Sequence, residues 1–218
     1  KANAAQEDDI KKPKPTASGT TDAGNAGQDT PDMEEPTVSP EPEVIQAESN
    51  AQEMPKPCNF IIKDDRLGEG GPKAKFGTNM EAITALKKVE SENRPATPEE
   101  QQVLSKYVGW GGIPDAFEPD KAGWEKEYQD LKTILTPEEY DSARASVLNA
   151  HYTSPTVIKA IYKAVSSMGF TSGRILEPAC GIGNFFGLLP KEMSESKLYG
   201  VELDGVSGRI AKLLYPNA

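Results

Sequence analysis

Two carboxylates beside a glycine bend are the residues of this 218-residue chain best placed to do chemistry. Glu177-Pro178-Ala179-Cys180-Gly181-Ile182-Gly183-Asn184 follows the short run Arg174-Ile175-Leu176, and Glu202-Leu203-Asp204 follows a second run, Lys197-Leu198-Tyr199-Gly200-Val201. A Gly-x-Gly bend lets backbone approach a ligand closely. An acid after the next strand can accept hydrogen bonds from a ribose. The dinucleotide fingerprint needs its third glycine three residues after the second, and Gly187 lies one residue too far. Glu177 also ends the first run right beside the bend, where its carboxylate would repel a pyrophosphate at close range. That placement favours a cation. S-adenosylmethionine fits it: the molecule has an ammonium, a sulfonium, no phosphate, and two ribose hydroxyls suited to a carboxylate at Glu202.

The elements that must position these residues alternate in period. A capped helix from Ser154-Pro155 to Met168, a strand at 174–176, a helix near 184–189 and a strand at 197–201 read as the beginning of a parallel α/β sheet. Ligands bind such sheets beyond the carboxyl ends of the strands. Upstream, Thr78 with Glu81, Thr97 with Glu100 and Thr136 with Glu139 have capping-box spacing, and Pro98 and Pro137 suit a first helical position. They predict helices over 79–92, 98–108 and 137–148. A further helix over 121–132 places Trp124, Tyr128 and Leu131 on one face, read as core. Asn59-Phe60-Ile61-Ile62 is expected to be an edge strand. Gly68-Glu69-Gly70-Gly71-Pro72 is a flexible loop that lacks the flanking strand and helix a phosphate-binding loop requires. Gly109-Trp110-Gly111-Gly112 is read as a loop that pins Trp110 into the helical core, the alternative being a loop that touches nucleic acid.

Composition bounds the rest. The chain carries 34 Asp/Glu against 24 Lys/Arg, a net charge of −10. Residues 1–57 hold −7 of this, with eight prolines and no Phe, Trp, Tyr or Cys, so they are expected to be a disordered acidic linker. A helical region over 58–148 and a cofactor-binding part over 149–218 follow. No apolar run is long enough for a membrane helix, and no signal-peptide pattern opens the chain, so a cytoplasmic protein is expected. Cys58, Cys180 and His151 are too few for a structural zinc site or a disulfide framework, which leaves no metal and reduced thiols. An acidic chain has no overall footprint for phosphate backbones.

The segments His151-Tyr152-Thr153-Ser154-Pro155, Ile175 through Phe185 and Tyr199-Gly200-Val201-Glu202-Leu203-Asp204 resemble the first three motifs of adenine-specific DNA methyltransferases that place Tyr-Thr-Pro before the cofactor strand. The block Tyr107 through Phe117 resembles the region before the methylase in large methylase and helicase fusion proteins of conjugative elements and phages. Together the resemblances span residues 59–218. They imply an α/β fold that begins a class I, Rossmann-like methyltransferase sheet behind a small helical subdomain. They imply S-adenosylmethionine as cofactor and DNA as the partner of the whole protein. In residue terms they place Tyr152 and Thr153 at the methionine carboxylate and Glu177, followed by Pro178, near the ammonium. Gly181 and Gly183 are implied at the close backbone approach, and Glu202 on the ribose. Ser154 is an extra residue before Pro155 relative to the commonest form of the motif.

Asp204 is read either as a cofactor contact or as the cap of the following helix. His151 is read as a loop-packing residue and Cys180 as a small-residue filler of the bend. No catalytic residue is assigned, because the family's Asn-Pro-Pro-Tyr segment, which holds a flipped base, does not occur in this sequence. Two strands of a sheet that normally has seven should leave a parallel edge and an apolar face uncovered. The chain is therefore expected to be the N-terminal part of a methyltransferase that binds cofactor without transferring a methyl group by itself. The rival expectations are a non-catalytic cofactor-binding scaffold and, more distantly, a nicotinamide enzyme.

Overall fold

The computed structural model describes residues 57–218. The expectation of disorder over 1–57 lies outside the described residues, Pro57 excepted. Helices α1 (Pro72–Ser91), α2 (Pro98–Leu104), α3 (Glu125–Ile134) and α4 (Pro137–Ser146) precede α5 (Pro155–Ser167), β1 (Arg174–Glu177), the short α6 (Asn184–Gly187), β2 (Lys197–Gly200) and α7 (Gly205–Leu214). The strands are parallel, with Arg174 opposite Lys197 and Glu177 opposite Gly200. The fold is thus mixed α/β with a two-stranded parallel sheet among the described residues.

Two of the three expected capping boxes form. Thr97 Oγ1 accepts from the Glu100 backbone at 3.3 Å while Glu100 Oε2 accepts from the Thr97 backbone at 3.0 Å. Thr136 and Glu139 do the same at 3.2 and 2.9 Å. The third does not. α1 starts at Pro72 rather than residue 79, because Gly71 and Pro72 already open it, and Thr78 lies inside the helix donating to the Lys75 carbonyl at 3.0 Å. Nor is Asn59–Ile62 a strand. Phe60 N–H donates to the Leu214 carbonyl and Ile62 N–H to the Gly187 carbonyl, so the segment satisfies carbonyls at the ends of α7 and α6 instead of pairing with a sheet. α2 stops at Leu104, and α3 begins only at Glu125, after a turn in which Trp124 N–H donates to the Lys121 carbonyl.

The core is aromatic and runs without a break across residue 148. Trp110 is 1% exposed and packs edge-on against Phe117, ring centroids 5.3 Å apart. Phe76, Tyr107, Trp124 and Tyr140 share this cluster with Ile182, Phe186, Ile210 and Tyr215 from the α/β part. The core readings of Trp110, Trp124 and Leu131 therefore hold. Polar ties cross the same seam: Gln101 Nε2 donates to the Leu213 carbonyl at 3.0 Å, and Arg209 Nη2 pairs with Glu139 at 2.7 Å. The fully buried Asn79 holds the Gly109–Gly112 loop from both sides, donating to the Gly109 carbonyl at 2.7 Å and accepting from Val108 N–H at 2.9 Å.

The opposite face of the sheet is open. The register partners Leu176 and Tyr199 are 62 and 45% exposed, whereas Leu198 is buried. An uncovered apolar sheet face is what two strands were expected to leave.

Arg94 grips Glu100 with both terminal nitrogens at 2.6 Å, and these hydrogen bonds hold the Glu100 carboxyl down to about 2. A folded-state value below the ordinary one, about 4.3, means stability that is full above pH 4.3 and lost as pH falls through about 2. Glu100→Gln is therefore expected to be less stable than the parent at pH 7, with the gap closing over that acid range. Urea titrations at a series of pH values read it directly, and a gap independent of pH would refute the pairing.

Candidate ligand cleft

Because the strands are parallel, the turns at their carboxyl ends lie side by side, and both open into a cleft of about 510 Å3. Glu177, Ala179, Cys180 and Gly181 line it from the first turn, and Glu202, Leu203 and Asp204 from the second. Its volume is that of a typical small-molecule site. The structure thus brings together Tyr152, Thr153, Glu177, Gly181, Glu202 and Asp204 in the cleft lining. Pro178 and Gly183 lie outside that lining.

Glu202 is the hinge pin of the two turns. Its Oε2 accepts from Gly181 N–H at 2.6 Å and its Oε1 from Asp204 N–H at 2.9 Å. Each carboxylate oxygen keeps a further lone pair for a ligand hydroxyl. Glu177 differs: its half-buried carboxylate makes no hydrogen bond or ion pair among the described residues.

Asp204 is the N-cap of α7. Its Oδ2 accepts from the Ser207 backbone N–H at 2.9 Å and from the Ser207 hydroxyl, and its Oδ1 accepts from the Ser142 hydroxyl at 3.2 Å. With these donors satisfied, the capping reading accounts for the residue. Since the Ser207 proton goes to Asp204, Ser207 Oγ accepts from the Tyr152 phenol, 3.1 Å away.

Tyr152 sits in a slot built from two glycines. A Cβ on Gly109 would lie 2.7 Å from Tyr152 Cε2, and one on Gly181 would lie 2.7 Å from Cε1, the other edge of the ring. Both glycines have positive φ, +67° and +56°. The phenol is spent on Ser207, and burial pushes its pKa up. The resemblance implied a contact with the methionine carboxylate; the geometry makes Tyr152 the key that fastens the helical loop, the glycine bend and α7 together. Gly183 is likewise explained by packing, because a Cβ there would lie 2.5 Å from Tyr215 Cε2.

Cys180 is half-buried in the bend, and burial raises its thiol pKa, as a filler rather than a nucleophile requires. His151 is exposed, and its Nδ1 would lie 2.9 Å from a Cβ on Gly111, the loop-packing role expected of it.

Sequence reasoning missed the far wall. Tyr107, Gly109, Ser142 and Ser146 from the helical region, and Asn149 just beyond it, line the same cleft, together with Asn184 and Ser207. No spacing rule links them to the strand ends, since only the shared core brings α4 and the glycine loop over the sheet. Among the described residues no group of His, Cys, Asp or Glu is arranged to hold a metal, and no helix is long and apolar enough to cross a membrane. No family model, curated protein or solved structure matches this chain.

Proposed function

We propose that the chain binds S-adenosylmethionine in this cleft and supplies the cofactor half of an enzyme that methylates the exocyclic amine of adenine in DNA, as part of a methylase and helicase fusion. One observation carries the reading: a carboxylate unpaired among the described residues, Glu177, and an anchored one, Glu202, flank a glycine bend at the carboxyl ends of two parallel strands. Glu177 offers an acceptor for the methionine ammonium, and Glu202 offers free lone pairs for the ribose. A dinucleotide is disfavoured by the same features. Its pyrophosphate would face Glu177, and α6, with four residues, has little dipole to compensate. On this reading base recognition and catalysis belong to an Asn-Pro-Pro-Tyr-type segment, which this sequence does not contain, and so do the contacts with DNA.

Calorimetric titration of the purified chain with S-adenosylmethionine and with NAD is the direct test. Saturable binding of the sulfonium nucleoside with no heat from NAD is expected. The reverse selectivity, or no binding of the sulfonium nucleoside, would overturn the proposal. A second reading keeps the same cleft for binding alone, in a cofactor-binding scaffold without transferase activity. Joining the chain to a segment that carries Asn-Pro-Pro-Tyr and assaying methyl transfer to adenine separates the two.

A further inference from the structure

Tyr107 comes from the helical region, at the start of the Tyr107–Phe117 block and outside the cofactor motifs, and its side chain is 1% exposed. Its ring is held by edge-on contacts to Trp110 and Tyr152, with centroids 6.2 and 6.4 Å away. Its hydroxyl has no hydrogen-bond partner among the described residues. Asp204 acts on it electrostatically and the Ser207 hydroxyl and Trp110 indole approach it, but neither of these two meets hydrogen-bonding geometry with the phenol oxygen, and the Ser207 hydroxyl is engaged by Asp204 and Tyr152. A buried hydroxyl left without a partner is costly and calls for a reason.

The position supplies one. Tyr107 lines the main cleft and also a smaller one of about 340 Å3, and the two meet along Gly109, Ala150, His151, Tyr152, Thr153 and Asn184. Among the described residues four buried side-chain polar atoms lack partners, and two of these, the Tyr107 hydroxyl and Asn184 Oδ1, belong to residues at that junction. Orphan groups concentrated on one cavity wall fit a wall that is completed by a ligand.

We propose that Tyr107 is a ligand-binding residue, its phenol donating a hydrogen bond to an acceptor atom of the nucleoside held between Glu177 and Glu202. This inference rests on the cofactor reading above. It gives the helical region a direct part in the site, beyond positioning Tyr152 through Gly109.

The test is Tyr107→Phe, which keeps the ring contacts and removes only the hydroxyl. Affinities are measured by calorimetry for S-adenosylhomocysteine and for 5′-methylthioadenosine, which lacks the amino-acid end, alongside the melting temperature of the unliganded protein. The expected result is a loss of affinity of about three- to tenfold, with a melting temperature equal to or above the parent's, because no bond is lost in the free protein. An equal loss with both ligands puts the acceptor on the nucleoside, as proposed, and a loss with S-adenosylhomocysteine alone puts it on the amino-acid end and overturns the inference. Unchanged affinity for both ligands overturns the inference and leaves the cofactor reading intact. A weaker affinity accompanied by a lower melting temperature also overturns it, since the hydroxyl would then be structural. If the parent chain binds neither ligand, the cofactor reading fails and this inference with it.

Discussion

Gly181→Ala is expected to lower the melting temperature by roughly 6–12 °C, the shift that about 3 kcal/mol produces in a domain of this size. Two terms make up that figure. A residue with a side chain held in the left-handed region costs about 1–2 kcal/mol, and Gly181 has φ +56°. The new methyl would also lie 2.7 Å from Cε1 of Tyr152, a ring that cannot retreat because Gly109 closes the other side of the slot. Displacing a packed aromatic adds about 1–3 kcal/mol. The two terms separate in a double-mutant cycle. In a Tyr152→Ala background only the backbone term should remain, so the alanine at 181 should then cost about 1–2 kcal/mol. Additive effects would show that the slot does not exist as described.

Glu202→Ala carries the largest expected effect on binding. The carboxylate holds Gly181 N–H and Asp204 N–H at once, and on the proposed reading it also accepts from ribose hydroxyls. Charge-assisted hydrogen bonds are worth about 1.5–3 kcal/mol, which predicts a roughly tenfold to hundredfold loss of affinity for S-adenosylmethionine by calorimetry. The variant is also expected to lose stability, since two backbone donors lose their acceptor. The binding measurement therefore belongs well below its melting temperature. Affinity equal to the parent's in a folded variant would remove Glu202 from the ribose. Glu202→Gln makes a useful comparison: it keeps one acceptor oxygen but turns an amide against a backbone N–H, so it should fall between parent and alanine.

The local parts of this structure were legible because their causes are local. A threonine three residues ahead of a glutamate closes a capping box wherever no earlier residue starts the helix, which is why Thr97 and Thr136 behaved as expected and Thr78, overridden by Gly71-Pro72, did not. The two strands, the bend and the placement of Glu177 and Glu202 at the strand ends followed from the alternation of period along the chain. Phe60 and Ile62 misled, because an apolar extended run pairs with whatever backbone carbonyls are exposed, and here these belong to helix ends.

By itself the sequence determined which residue types meet at the strand tips, and hence the sign of charge in the cleft, since strand ends and turns are set by neighbours in the chain. Only the tertiary structure decided what those residues are engaged with. It turned Asp204 into a cap and Tyr152 into a key between two glycines, made Gly183 a seat for Tyr215, and brought Tyr107 to the wall. Each of these depends on a contact between segments tens of residues apart. Close packing of the aromatic core selects such contacts by shape and volume, and no spacing along a single segment encodes them.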